Sequence, residues 1–526
     1  MKNSYRKIAH FVVECSSPLS VSSGAEGFMV DKVVLKDANN LPFISGTSIA
    51  GILRHYIEDA SKNEKCTAFG TDSGSRVIVS SAHLLRSNSE VVEKLMDCSN
   101  SFLSKYTHQL PERDHVAISS KGTAVKSSKF DEQLVFKGSR FAFRIEFETD
   151  NSDADNTIWN QLLNAVHSPL FRIGGGTRKG FGAINVVSCK TITYNLNTSS
   201  ELITYLNYKP SLNSTTDSWT EFEAKLSNEG LDTYSIELTP ESFYMFGAGY
   251  GDIEVDSTYK TEICINGWED TPKLSDALLL IPATSVKGAL AHRTAFYFNK
   301  LTNHTVDKSV DDTSQCLLDD NLVKDQSEFS NILLEINNLA KIQDNESLSD
   351  TIEQLKNQKS KIEQHITVLH NLDVEAKGVE WDDFNTKMDQ LKNSEFSFKG
   401  TLDDNEAVLS LFGCKSDSRN VNTGQRGKVL LSDLFITDSN KNKIFNHVSI
   451  DRFTGGGRAG ALFSEKVIDS NTTLNMKIFV EKDSERSALV TEAFESAIHD
   501  LVSGRLALGG MTTKGNGVFI GEFKKD

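Results

Sequence analysis

The chain states one pattern twice. Thr47, Ser48, Gly51, Leu53 and His55 recur at identical spacing as Thr284, Ser285, Gly288, Leu290 and His292, and each set is followed far downstream by a glycine loop. In the first half that loop holds Gly174, Gly175, Gly176, Lys179, Gly180 and Gly182; in the second it holds Gly509, Gly510, Lys514, Gly515 and Gly517. Further landmarks keep the same order. Phe69-Gly70 and the run from Arg76 to Ala82 match Phe412-Gly413 and the run from Gly427 to Asp433, and Val116, Ile118, Gly122 and Phe130 match Val448, Ile450, Gly455 and Phe463. A long internal repeat of this kind means a tandem duplication, so whatever fold the first half adopts the second must adopt as well.

The periodicities name that fold. Ile8 to Cys15 alternates as a strand, and a helix follows Thr47-Ser48, with Ser48 as its N-cap and Ile49, Ile52, Leu53, Tyr56 and Ile57 at helical spacing. Arg140 to Glu148 reads as a strand, Thr157 to Val166 as a helix and Phe181 to Val187 as a closing strand. The second half repeats the plan, with strands at Tyr234 to Leu238, Thr473 to Val480 and Val518 to Phe523 and helices at Ser285 to Phe298 and Glu492 to Val502. This is the ferredoxin-like order of an α+β domain, shared with RRM-like RNA-binding domains. The expected division is a first domain over 1–193, a Ser/Thr/Asn-rich linker over 194–231 with a short helix around Trp219 to Leu226, and a second domain over 232–526. An insertion at about 300–408 interrupts the second; Leu348, Ile352, Leu355, Ile362, Ile366 and Leu369 form a heptad-like seam in it, which predicts a helical hairpin packing on its own domain or serving as a partner arm.

Composition bounds the function. A length of 526 residues suits two or three domains, and 38% hydrophobic with 24% charged residues is ordinary for a globular chain. No run approaches the ~20 apolar residues of a membrane span, and the start lacks the apolar stretch of a secretory signal. Seven scattered cysteines without a CxxC pair argue against disulfides and zinc and fit a cytoplasmic location. A net charge of −16 is unfavourable for nucleic-acid binding, but residues 301–400 carry 20 acidic against 10 basic residues, so the rest of the chain holds only −6. A basic groove on the repeated cores is compatible with that balance.

Candidate chemistry sits at the repeated features. The glycine loops either expose backbone amides to phosphate, with Arg178, Lys179 and Lys514 adding charge, or merely permit turns with positive φ. Helix starts at Ser48 and Ser285 offer unpaired amides to the same kind of ligand. His55 and His292 occupy matching helix positions without a nucleophile partner, which favours packing or phosphate contact; Arg54, Arg293 and Lys287 beside them suit RNA.

Ile44 to Arg54, Gly174 to Gly182, Ile281 to Gly288 and above all Asp451 to Leu462 resemble the RAMP superfamily, and most nearly the backbone subunits of type III CRISPR-Cas effector complexes. Two such units in one chain, the second with an insertion, look like the tandem backbone protein of type III-D systems. The resemblance implies subunits that stack along a guide RNA, each inserting a thumb-like β-hairpin that displaces one nucleotide of the guide-target duplex. It places the thumbs at Val116 to Val135 and Val448 to Val467, with Arg452 as an RNA contact and Phe453 or Phe463 as a wedge between bases.

It also implies a target-cleaving aspartate in the loop after the first strand, six residues before a second acid. That pattern falls on Asp31, with Asp37 following, and in the second unit on Asp256, with Glu262 following and Asp252 competing. The loop from Asp256 to the helix start is twelve residues longer than its counterpart. A carboxylate there can hold a divalent ion, Mg2+ or Mn2+, or take the proton of a ribose 2′-hydroxyl. An unaided aspartate is a weak base, so metal dependence is expected. The expected function is therefore an RNA-guided endoribonuclease of antiviral defence whose partners are guide RNA, target RNA and other effector subunits, with no membrane. The alternatives are a non-catalytic guide-binding scaffold and a ribonuclease that processes the guide precursor.

Overall fold

The computed structural model describes residues 3–22, 24, 27, 30–60, 67–70, 74–98, 102–118, 124, 128–214, 216–225, 230–268, 272–303, 405–414, 424–437, 442–469 and 472–526. Met1–Phe298 and Glu406–Asp526 make one compact unit, and Asn299–Asn405 form a second. The expected helical seam from Leu348 to Leu369 lies outside the described residues.

The first copy runs β1 (Tyr5–Cys15), α1 (Gly46–Ala60), β2 (Val77–Val79), β3 (Arg140–Thr149), α2 (Asp153–His167) and β4 (Ile184–Asn195). Its sheet places these strands in the order β4-β1-β3-β2, all antiparallel. After a short helix α3 (Ser199–Asn207), the second copy runs β5 (Leu231–Pro240), α4 (Ala283–Leu301), β6 (Val429–Leu430), β7 (Leu474–Glu481), α5 (Ala488–Val502) and β8 (Phe519–Lys525). The order β8-β5-β7-β6 repeats this order, while the first sheet carries further strands at His83–Ser87, Glu90–Val91 and Thr220–Glu221. Both copies are α+β and ferredoxin-like, as the periodicities require.

Alternation builds the core. Ala9, Phe11 and Val13 on β1 and Phe141, Phe143, Ile145 and Phe147 on β3 face α1 and α2, meeting Ile49, Leu53, Trp159, Leu162 and Val166. Phe11 and Phe143 stack at 5.0 Å across adjacent strands. Helix α1 starts a turn earlier than expected: Ser45, not Ser48, caps it, its Oγ taking the Ser48 N–H at 3.3 Å. Gly46 begins the helix because a Cβ there would fall 2.3 Å from the Val79 carbonyl oxygen.

The 194–231 segment differs from the expected linker. Its helix is α3, and Trp219 instead lies buried with Ile8 and Tyr194 on the outer face of the sheet, followed by the edge strand Thr220–Glu221. Ile8 points away from the helices, and an apolar residue on that side needs a cover; Trp219 supplies it.

The twelve extra residues after Asp256 also have a structural reason. They form a strap, Ile265–Asn266 paired with Lys273–Leu274, that docks on the first copy. Ile265 and Trp268 join the first hydrophobic core, Trp268 Nε1 donates to the Gly138 carbonyl at 2.7 Å, and Arg140 lies over the Trp268 ring. Gly138 has φ +86°, and a Cβ would meet the Ile265 carbonyl at 2.0 Å.

A buried ionic cluster completes the junction. Arg113 donates from Nε and Nη2 to Glu262, at 2.8 and 3.1 Å, and from Nη1 to Asp433 at 2.6 Å. Asp433 also accepts the Ala283 N–H that opens α4. Burial disfavours the Arg113 cation, but the two carboxylates outweigh burial and its pKa is raised. Removing one partner of such a cluster leaves charge uncompensated in the interior. Arg113→Ala is expected to destabilise the chain by about 3–5 kcal/mol, read as a lower denaturant midpoint, whereas Arg86→Ala, whose pair with Glu90 is exposed, changes it by less than about 1 kcal/mol.

Candidate RNA interface and active site

Each copy raises a hairpin beside its sheet. The first pairs Glu112–His115 with Phe130–Gln133, and the second pairs Asn442–Ile450 with Gly457–Ile468. The second has an exposed tip where Asp451 Oδ1 accepts the N–H groups of Phe453 and Thr454, an Asx-type turn that leaves the Phe453 ring fully exposed. Arg452 is exposed beside it. Phe463 is no wedge: its ring stacks on His447 at 4.8 Å.

The loop aspartates meet the hairpins. Asp31 and Asp131 exchange bonds, the Asp31 N–H to Asp131 Oδ1 at 2.7 Å and the Asp131 N–H to Asp31 Oδ2 at 3.0 Å. Asp256 does the same with Ser464: its Oδ2 accepts the Ser464 N–H at 2.8 Å and the hydroxyl at 3.0 Å, and its own N–H goes to Ser464 Oγ. The parallel bridges next door, Lys32 with Glu132 and Ser257 with Glu465, fix the equivalence of Asp31 and Asp256. The two Ser464 bonds lower the pKa of Asp256. Asp252 closes its own turn through the N–H groups of Glu254 and Val255, so it does not match Asp31 in position.

The second acids separate from this edge. Asp37 accepts the N–H groups of Asn39 and Leu41 within a turn, and Glu262 is the buried partner of Arg113. For a divalent ion, the first copy offers two neighbouring carboxylates, Asp31 and Asp131, a donor set that suits an ion keeping most of its waters. The second offers one carboxylate and a hydroxyl. Among the described residues no group of three or more His, Cys, Asp or Glu side chains converges as a ready cage.

The glycine loops correct an expectation. Several of their amides are used inside the protein: Gly175 N–H bonds Ser20 O at 2.6 Å, Gly182 N–H bonds Pro18 O, and Gly510 N–H bonds Met245 O at 2.7 Å. Lys179, Lys514, Gly515 and Gly517 also donate to carbonyls. Close approach is the reason for the glycines, since a Cβ on Gly174 or Gly509 would lie 2.2 or 2.4 Å from the Ser20 or Met245 carbonyl, and both have positive φ. Gly176 is left-handed too, with Phe181 packed against it. The loops therefore use part of their amides internally and present Lys179 and Lys514 as side chains over Phe130 and Phe463.

Those side chains gather at the junction of the copies. Arg178 pairs with Glu481, and Lys179 lies 4.2 Å from the Phe130 ring centroid. Lys287, on the first turn of α4, donates to the Phe412 carbonyl, and burial followed by repulsion from Arg178 and Lys179 brings its pKa down to about 8. Three cations from both copies thus come together here, with Glu481 against Arg178 and Glu132 Oε1 3.9 Å from Lys179 Nζ. The remaining candidates disperse. Ser48, Arg54 and His55 are exposed on α1, His292 is hydrogen-bonded to the backbone of Ile118 in the first hairpin, and Arg293 is held by Asp500 and the Arg505 carbonyl.

One constellation escaped the sequence reading. His115 Nε2 lies 2.7 Å from Glu132 Oε1, and His447 Nε2 lies 2.7 Å from Glu465 Oε1. The matched pair Phe130 and Phe463 carried the signal, because the same alignment puts Glu132 on Glu465.

With these features in place, comparison with known families gives one match. The RAMP superfamily model covers residues 12–185 and 270–520. The chain belongs to the RAMP superfamily, and the two matched regions are its two copies. No curated protein matches it.

Lys287 sets a pH dependence. The folded-state pKa lies below the ordinary lysine value, so the ammonium is present below pH about 8 and is lost as pH rises through that value. Affinity for a single-stranded oligoribonucleotide is expected to fall between pH 7 and 9 in the native chain, and Lys287→Met to flatten that part of the profile, as measured by fluorescence anisotropy.

Proposed function

We propose that the chain is a backbone subunit of a type III CRISPR effector complex, its two copies lying along a guide RNA and cleaving complementary target RNA at Asp31 and Asp256. The observation that carries this reading is the repeated placement of a loop carboxylate on the base of a hairpin, with Asp31 on Asp131 and Asp256 on Ser464. RAMP membership supports a CRISPR-associated, RNA-binding role. Among the described residues no helix is long and apolar enough to cross a membrane.

The chemistry follows from position. The exposed Phe453 with Arg452 at the tip suits unstacking a base, and the displaced nucleotide has a ribose 2′-oxygen free to align with its own phosphorus. Attack by that oxygen breaks the bond from phosphorus to the 5′-oxygen of the next nucleotide, which takes a proton from water and leaves as a hydroxyl, and a 2′,3′-cyclic phosphate remains. Asp31 or Asp256 takes the 2′-hydroxyl proton or orients it, and Arg178, Lys179 and Lys287 hold guide phosphates near the junction. A divalent ion, Mg2+ or Mn2+, when bound by Asp31 and Asp131, would supply charge neutralisation at the phosphate. In the second copy Ser464 occupies both the N–H and hydroxyl contacts of Asp256, which favours a scaffold role for that copy as the second reading.

In the assembled complex, Asp31→Ala is expected to abolish one set of cuts and Asp256→Ala another, each at least about 100-fold in rate. Product-end mapping decides between the readings. Loss with Asp31→Ala alone leaves the second copy as scaffold, and full persistence of every cut in the double variant overturns the nuclease reading.

A further inference from the structure

The base of each hairpin carries the same four side chains. In the first copy His115 stacks on Phe130 at 4.9 Å and 20°, its Nε2 lies 2.7 Å from Glu132, and Lys179 reaches over Phe130 at 4.2 Å. In the second copy His447 stacks on Phe463 at 4.8 Å and 24°, its Nε2 lies 2.7 Å from Glu465, and Lys514 reaches over Phe463 at 4.6 Å. The glutamates are nearly inaccessible, at 2% and 1% exposure, while both lysines come from the glycine loops.

The neighbours of this tetrad have changed between the copies. Asp131 corresponds to Ser464, Arg113 to Phe445 and Ser20 to Met245, as the strand registers and the loop bonds show. Simple packing of a hairpin base does not require a buried carboxylate, which is costly unless a partner compensates it. Around Glu132 the compensation is visible in the geometry: Ser20 Oγ donates to Oε2 at 3.1 Å, and His115 Nε2 and Lys179 Nζ lie 2.7 and 3.9 Å from Oε1. Its partners are then drawn toward it. The glutamate fixes the histidine ring, the histidine orients the phenylalanine, and the ring face carries the lysine ammonium.

We propose that Glu132 with His115, and Glu465 with His447, are positioning residues that hold the glycine-loop lysines Lys179 and Lys514 at a set place for RNA phosphate. This rests on the RNA-binding part of the proposed function and is independent of cleavage. It assigns the glycine loops a common task, to deliver one cation each from a rigid turn onto an aromatic platform.

The test uses the full chain with its lysines reductively methylated with 13C, so that each gives its own NMR signal. Lys179 and Lys514 are expected to be shifted upfield by the ring currents of Phe130 and Phe463. Glu132→Gln should return the Lys179 signal toward the unshifted position and leave Lys514 in place, and Glu465→Gln should do the reverse; His115→Gln and His447→Gln give the same pattern where a glutamate variant folds poorly. With a single-stranded oligoribonucleotide, the slope of log affinity against log salt should fall by about 0.7 in Lys179→Ala and by a comparable amount in Glu132→Gln. Lysine signals that stay shifted in the glutamine variants overturn the proposal, as does a full salt slope in Glu132→Gln when Lys179→Ala has lost it. If Lys179→Ala and Lys514→Ala keep the full slope, the RNA-binding reading of these loops fails, and the NMR signals still decide whether the glutamates position the lysines.

Discussion

The structure turns on one guanidinium. Arg113 leaves the first hairpin and enters the second copy, where Glu262 and Asp433 enclose it, and it also lies over the Phe181 ring at the end of the first glycine loop. Asp433 is at the same time the acceptor for the first N–H of α4. A single side chain therefore ties together the hairpin, the glycine loop, a helix start and the loop that follows Asp256. An ion cluster of this kind is poor value as stabilisation alone, because desolvation offsets much of the attraction. What it supplies is direction: a carboxylate accepts the guanidinium in few geometries, and the bidentate bond to Glu262 fixes the angle at which the copies meet.

That junction is also where the copies stop being interchangeable. The first copy faces the second through Arg113, Arg172 and Arg178, and Arg172 donates to the Leu431 carbonyl and Ser432 Oγ. The matching positions in the second copy are Phe445, Ala507 and Thr513. Conversely the residue that opens α1 donates to Ser81, where α4 has Asp433. Across the contact, Arg113 and Arg178 of the first copy meet Glu262, Asp433 and Glu481 of the second. The crowding of Arg178, Lys179 and Lys287 is a product of that contact and has no counterpart within a single copy.

Much of this architecture was legible in the chain because it is local or repeated. Alternation located β1, β3, β5, β7 and β8 to within a few residues, fell eight residues short of the end of β4 and did not single out β2 or β6, and the recurrence of Thr-Ser and glycine loops required the second copy to follow the first. Sequence failed where the deciding contact joins distant segments. The glycines read equally well as a phosphate cradle or a tight turn until the Ser20 and Met245 carbonyls are seen to occupy the amides. Asp37 and Glu262 share a spacing, yet one closes a turn and the other balances Arg113, which nothing in their neighbourhoods foretells. The longer loop after Asp256 looked like an anomaly and is the strap that fills the first core with Trp268. His115 and His447 occupy matching positions beside the Phe130 and Phe463 pair, but their partners Glu132 and Glu465 lie across the hairpin, so only the strand pairing brings each histidine to its carboxylate.

The same backbone device links the proposed chemistry to the hairpins. The carboxylates of Asp31 and Asp256 each accept an N–H of the returning hairpin strand, and each aspartate N–H is returned to a side chain on that strand. A hairpin that shifts must carry its aspartate with it. If the hairpin is what displaces a nucleotide, the carboxylate keeps its distance from the displaced sugar without depending on the conformation of a long loop, which preserves near-attack geometry at little entropic cost. The buried glutamate next along the strand anchors the opposite face to the glycine loop through histidine, phenylalanine and lysine. One short strand thus has a candidate catalytic group along its edge and a candidate phosphate contact on its inner face, and the alternation of side chains along β-structure keeps the two apart.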